Sequence, residues 1–395
     1  MTHRHASGRQ PRPAAPWSRG PGRRPAAPDE AAPAGSQAWE LWNFQALFPG
    51  AGADALLAVK RDQDAILARE REALARLWSG DQGLLSPGHD FLAARPELRR
   101  GLVVSLHTGP YQLLAEPWLD AGLDVLLMLN AHALPRFRDA VVPLSRHLGH
   151  RGTLRWAAVG EPGFMRSVLA AVRAGQPVLA YLDGNSGSDG PAGTREAGMR
   201  YALPGRDILV RTGLARLACR TGCPLHRVAL RWDDGRVAWT EAPTVRPGPG
   251  DDAAAVTREL FDWAFAVVRA HPEQWQYWSM LRDSSACFRA SRLEEPALPP
   301  SLREDSRRAF DLCCAHAPRT ARLVLEHDVE VWDDDVLADR TAERFYPAAG
   351  LCDADLGLLR AGRPTLQEVR DHHGDAWLRF HGLRLCLLGA ARLGA

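Results

Sequence analysis

The stretch LVVSLHTGPYQLLAEPWL, Leu102 to Leu119, decides the reading of the chain. An apolar, β-branched run ends at His107, and Gly109-Pro110 then opens a second apolar pattern with helical spacing. Pro110 suits a first helical turn, and Gly109 lets the backbone approach a ligand. The amides of such a helix start would face a place where an anion gathers. The stretch therefore reads as one strand-to-helix unit of an α/β sheet, with His107 at the carboxyl end of the strand where ligands of such sheets bind.

Working outward, GLVVSL (101–106), LDVLLML (123–129), QPVLAYL (176–182), PLHRVALRW (224–232) and GRVAWTEA (235–242) read as strands. GFMRSVLAAVRAG (163–175), ILVRTGLARLACRTG (208–222) and DDAAAVTRELFDWAFAVVRAH (251–271) read as helices between or after them. The fold class is α/β, a mixed sheet flanked by helices. Asp183 ends the third apolar strand, so it is expected in the same crevice as His107. The polar, Gly-rich loop after it, NSGSDGPAGTREAG, lacks phosphate-loop spacing and reads as mobile cover.

Residues 1–37 are mostly Pro, Arg, Ala and Gly and are expected to be disordered. The α/β domain then spans 38–290, beginning with a helical segment from Trp39 to about Arg100 that reads as a flap over a site. A Pro-rich linker, 291–304 with Pro296, Pro299 and Pro300, leads to a small C-terminal domain at 305–395, α+β or winged-helix-like. There GLLRAGRPTLQEVRDHHG resembles a segment of small winged-helix and peptide-recognition domains, although Thr365 and Glu368 also have plain capping-box spacing.

A formal net charge of +2 supplies no global field for nucleic acid or an anionic membrane. Lys60 is the only lysine, so the abundance of Arg reflects composition before function. Seven cysteines without paired C-x-x-C motifs suggest a reduced, cytoplasmic chain, and no apolar run is long enough to span a bilayer. His372 and His373 are adjacent, point to different helix faces and make no metal site.

The boxes occur in order: His107 with its x4 partner, an apolar strand ending at Asp183-Gly184, LPGRD at 203–207, LARLACRTGCPL, a strand pair, and PEQWQYW at 272–278. That series resembles the late acyltransferases of lipid A, the lauroyl and myristoyl transferases of the lysophospholipid acyltransferase-like superfamily, over about residues 40–283. The resemblance implies a glycerolipid acyltransferase-like sheet and transfer of a fatty acyl group from acyl-CoA or an acyl carrier protein to a hydroxyl or amine. His107 would be the general base, with no cofactor beyond the acyl thioester. It also implies site roles for Asp183 and for an arginine near Arg151 or Arg155. Gly109 joins the substrate-binding set, and Arg206 of LPGRD could bind a carrier phosphate.

In the family the fourth residue after the histidine is a carboxylate that orients the imidazole; here it is Gln112. An amide holds geometry without stabilising charge. Four readings follow: a slow enzyme, an amine acceptor, a substitute carboxylate such as Glu116 one turn on, or a pseudoenzyme. Restoring the carboxylate by Gln112→Glu is expected to raise the rate. The relatives' membrane anchor is not seen, which points to a soluble or peripheral acceptor, small molecule, lipid or peptide, at most at the inner face of the membrane. The rival reading is a non-catalytic lipid- or peptide-binding protein on the same fold. The aromatic residues Trp275, Tyr277 and Trp278 read as core packing.

Overall fold

In the computed structural model the described residues are 34–130, 133–184 and 198–285, with shorter stretches between 307 and 394. The chain divides into two compact units. One collects Leu57–Ser188 and Thr212–Tyr277, and the other Glu30–Leu56, Asp189–Arg211 and Trp278–Ala395. The division is interleaved, whereas boundaries drawn from composition (38–290, 305–395) run along the chain. Long-range partners make the difference, and a local hydrophobic period cannot report them. Thus Gly205 is packed so tightly on the Gln45–Ala46 backbone that an added Cβ would lie 2.1 Å from the Gln45 carbonyl oxygen. The proposed linker at 291–304 and the cover loop at 185–197 lie outside the described residues, as does the tail before Ala34.

In chain order the first part runs α1 (Ala34–Leu47), α2 (Ala53–Trp78), α3 (Ser86–Ala93), β1 (Gly101–Ser105), α4 (Glu116–Asp120), β2 (Val125–Asn130) and α5 (Leu134–Leu148). It continues with β3 (Leu154–Val159), α6 (Phe164–Arg173), β4 (Pro177–Tyr181), β5 (Met199–Ala202), β6 (Asp207–Val210) and α7 (Gly213–Thr221). Then come β7 (Leu225–Asp233), β8 (Arg236–Val245), α8 (Ala253–Ala270) and α9 (Ser279–Ser284).

The first unit is built on a six-stranded sheet in the order β3-β2-β4-β1-β7-β8. Its first five strands are parallel and β8 runs antiparallel to β7. This is a mixed α/β sheet flanked by helices. Strand β1 is central and buried at every position, which is why its sequence is a continuous apolar run and not an alternation. Helix α8 shows how the flanking helices form. Asp252 caps it by accepting from the Ala254 amide at 2.9 Å, and Val256, Leu260, Phe261, Ala264, Phe265 and Val268 bury one stripe.

Three local expectations are corrected. The segment 208–222 is not one helix: Asp207–Val210 pairs antiparallel with β5, and α7 starts only at Gly213, because the run ILV, with β-branched Ile208 and Val210, is better used in a hairpin. Strand β3 went unread, its exposed Arg155 and half-buried Trp156 breaking the apolar run at the edge of the sheet. After Pro110 the chain makes a single 3-10 turn, Tyr111–Leu113, so the anion-facing helix start is not formed there.

In the second unit the β5–β6 hairpin bridges Ile208 to Ser285. Beyond α9 lie β9 (Arg322–Leu325), β10 (Val329–Asp333), β11 (Val336–Asp339), β12 (Arg344–Pro347), α10 (Leu366–Trp377) and β13 (Ala391–Gly394). Strands β10, β11 and β12 form one antiparallel sheet and β9 pairs with β13. Among the described residues no helix is long and apolar enough to cross a membrane.

Candidate active site

Register brings His107 and Asp183 together across 76 positions of sequence. Ser105 pairs with Tyr181 at the ends of β1 and β4, and the Leu182 amide donates to the Ser105 carbonyl at 2.8 Å. Two residues beyond each strand end the chain presents a polar group. His107 donates twice to Asp183: its main-chain amide to Oδ2 at 2.9 Å and its Nδ1 to Oδ1 at 2.8 Å. Since an ionised carboxylate only accepts, the proton sits on Nδ1 and the lone pair on Nε2. Among the described residues nothing bonds Nε2, and the His107 side chain keeps 17% of its exposure.

Asp183 is 3% exposed and accepts a third hydrogen bond, from Trp275 Nε1 at 2.7 Å. Burial by itself would push its carboxyl up. Attraction to the His107 imidazole, with the hydrogen bonds from that ring, Trp275 and the His107 amide, outweighs burial and holds it below the usual carboxylate range.

The segment Gln274–Tyr277 straps this pair in place. The Gly109 amide donates to the Gln274 carbonyl at 3.0 Å, the Gln276 amide donates to the His107 carbonyl at 2.9 Å, and Thr108 and Trp275 form a bridge between them. The buried Gln274 side chain reads β7 as a strand would, accepting from the Trp232 amide at 2.7 Å and donating to its carbonyl at 2.8 Å. Around the imidazole stand three tyrosines. Tyr181 and Tyr277 stack on it, at 4.4 and 4.7 Å between ring centroids, and Tyr111 meets it edge-on at 4.7 Å. Burial, with Tyr111 and Asp183 nearby, drives the Tyr181 hydroxyl well above its ordinary range, so it stays a donor, bonding the Tyr111 carbonyl at 2.7 Å.

Trp275 is core as expected, fully buried and packed on Phe265, and its Nε1 serves Asp183 as well; Tyr277 stacks on the imidazole, and Trp278 belongs to the second unit, where it packs on Phe44. Gln112 does not orient His107. Its side chain lies beside the carboxyl of Glu70 on α2, and its Oε1 is buried without a partner. Glu116 is no substitute orienter either: it is fully buried and bonds His150. At Gly109, whose φ is +50°, the close approach is to the backbone of β7: an added Cβ would lie 2.7 Å from the Arg231 Cα.

Neither Arg151 nor Arg155 is brought to His107. Arg155 aligns through Leu126 and Val178 with Leu102, five residues back toward the amino end of the sheet, roughly 16 Å along the strands. It bonds Gln176, and Arg151 bonds the Asp120 carbonyl. Arg206 lies in the second unit, 3.3 Å over the Trp42 ring with its Nη2 on the Trp42 carbonyl at 2.6 Å. His372 bonds the Glu368 carbonyl, and among the described residues no group of three or more metal-ligating side chains is gathered.

What the arrangement can do is take a proton: a fixed tautomer, a buried anion behind it, and a lone pair in front. No family model matches the chain, and no curated protein matches it.

Proposed function

We propose that the protein is an acyltransferase of the lysophospholipid acyltransferase-like kind, with His107 as general base. It moves a fatty acyl group from acyl-CoA or an acyl carrier protein to a hydroxyl or amine of a soluble or peripheral acceptor. The observation that carries this reading is the fixed imidazole: Nδ1 held on Asp183 while nothing described bonds Nε2. The acceptor's O–H or N–H proton passes to Nε2 as its heteroatom attacks the thioester carbonyl. Collapse of the tetrahedral adduct breaks the carbon–sulfur bond, and the imidazolium returns the proton to the departing thiolate. Asp183 stays ionised and stabilises the imidazolium formed between these steps.

On this reading the orienting carboxylate comes from the neighbouring strand end and not from four residues on, so an amide at position 112 is compatible with full charge stabilisation. The binding-protein rival loses the support that Gln112 gave it. For the second unit, a winged-helix-like or peptide-recognition module remains the reading of the GLLRAGRPTLQEVRDHHG segment. The two-way bonding of Thr365 and Glu368 accounts for those two residues as a helix cap without it.

Incubation with acyl-CoA and acyl carrier protein thioesters across chain lengths, together with a panel of hydroxyl and amine acceptors, following free thiol, tests the proposal. Thiol release is expected from wild type and is expected to fall at least about 10³-fold in His107→Ala. Release that stays within a few-fold in that variant removes His107 from the chemistry.

A further inference from the structure

We propose that Glu70 is a positioning residue for His107, acting through Gln276, whose side chain ties Glu70 to the catalytic loop. The Gln276 Nε2 donates to Glu70 Oε2 at 2.9 Å and to the Gly109 carbonyl at 3.2 Å, while its main-chain amide holds the His107 carbonyl at 2.9 Å. One residue thus grips both sides of Thr108, and Glu70 is the fixed point behind it. From the same face of α2, Gln63 donates to the Trp275 carbonyl at 2.6 Å, so the helix secures two successive residues of the strap.

Packing alone gives no reason for an acid here. Glu70 is 5% exposed and follows Ile66 and precedes Ala73 and Leu77 on a buried stripe where an apolar residue would be cheaper. Its Oε1 is buried without a partner. Burial pushes its carboxyl up to about 7, against the opposing pull of Gln276 and Gln112. The two amides that reach it come from segments 107–116 and 271–277, which carry the titratable His107, Tyr111, Glu116, His271, Glu273 and Tyr277. The charged neighbours on α2, Arg69, Arg71 and Glu72, are exposed. Ionised, Glu70 grips the Gln276 amide; protonated, it holds it less strongly. The strap on His107 tightens as pH rises through neutrality.

The inference rests on His107 being the working group, but its test does not need the acyl-transfer reading. Ring-nitrogen NMR of histidine-labelled, substrate-free protein, with the His107 signals assigned by loss in His107→Ala, follows the imidazole against pH. Wild type is expected to show a component of the His107 signal change that follows the Glu70 carboxyl, pushed up to about 7. Both Glu70→Gln and Gln276→Leu should lose it. Glu70→Gln removes a group that is hard to ionise when buried, so it is expected to fold and to melt no lower than wild type at alkaline pH. A wild-type profile that Glu70→Gln or Gln276→Leu leaves unaltered overturns the proposal. If thiol release is measurable, Glu70→Gln should lower kcat at alkaline pH on the order of ten-fold with KM held. If wild type releases no thiol with any of the acceptors yet the Glu70-dependent component behaves as stated, the acyl-transfer reading fails and the Glu70 assignment stands.

Discussion

Among the described residues of the first unit, two histidine–carboxylate pairs are built for opposite purposes. His107 meets Asp183 through Nδ1 only, past the carboxyl ends of two central parallel strands, with its ring 17% exposed. His150, in the turn that leads into β3, is 3% exposed and bonds the fully buried Glu116 through Nε2 while its Nδ1 lies 3.8 Å from Asp120. Asp120 in turn reaches His89 at 3.5 Å. Burial would push the His150 imidazole down, but the hydrogen bond and charge of Glu116, with Asp120 behind it, outweigh burial and raise it. A ring that faces carboxylates on both sides keeps its proton and holds structure. A ring with one carboxylate behind it and a lone pair in front can take a proton from something else. The chemical couple is the same; which nitrogen is covered decides the role.

Exchanging each carboxylate for its amide is the strongest way to break this comparison. Three donors converge on Asp183, so in Asp183→Asn at least one meets an NH2 group, and the imidazole loses both its tautomer and its charge partner. Turnover is expected to fall by about 10⁴, as when the orienting Asp of a protease triad becomes Asn. Glu116→Gln should leave turnover within a few-fold. Equal losses from the two substitutions, measured by thiol release, would mean that the pairs are not distinct in role.

The reverse contrast is read in stability. His150→Ala leaves the Glu116 carboxylate buried and uncompensated, with an expected loss of about 3–5 kcal/mol in denaturant unfolding. The pair also has a pH signature. Because the folded imidazole is raised above its ordinary 6.5, its stabilisation is complete below that pH and fades as pH rises through the folded value. Wild-type unfolding free energy should decline over that window, and the decline should be missing from His150→Ala. A flat wild-type profile would show that His150 is not held in its charged form.

The sequence carried one half of the site and concealed the other. His107 and Asp183 were legible because each terminates an apolar run, and strand ends in an open parallel sheet face one crevice. That they touch follows from the pairing of β1 with β4, which no local period encodes. The strap was concealed for a related reason. PEQWQYW reads as an aromatic cluster, and its Gln274 and Gln276 act on backbone groups 42 and 167 positions away. Glu70 did leave a signal, an acid in the Ile66–Ala73–Leu77 stripe of an otherwise amphipathic helix, where a charge without a purpose is expensive. Arg151 and Arg155 were misplaced because the edge strand they adjoin was itself unread.

The smallest expected effect concerns the amide that first looked like a defect. In isolation, Gln112→Glu should restore a catalytic carboxylate and raise the rate. In the folded protein position 112 adjoins Glu70, itself already hard to ionise at about 7, and it is Asp183 that holds the imidazole Nδ1. A second carboxyl there would share a buried pocket with the first, and two such groups cannot both ionise cheaply. One of them holds its proton to higher pH, and Gln276 loses part of the charge it grips. The expected outcome is a variant about 1–2 kcal/mol less stable at alkaline pH, with thiol release equal to or below wild type. The deficit should shrink as the solution is acidified and both carboxyls are protonated. A faster enzyme of undiminished stability would mean that residue 112 does reach the imidazole and that Asp183 is not its sole orienting charge.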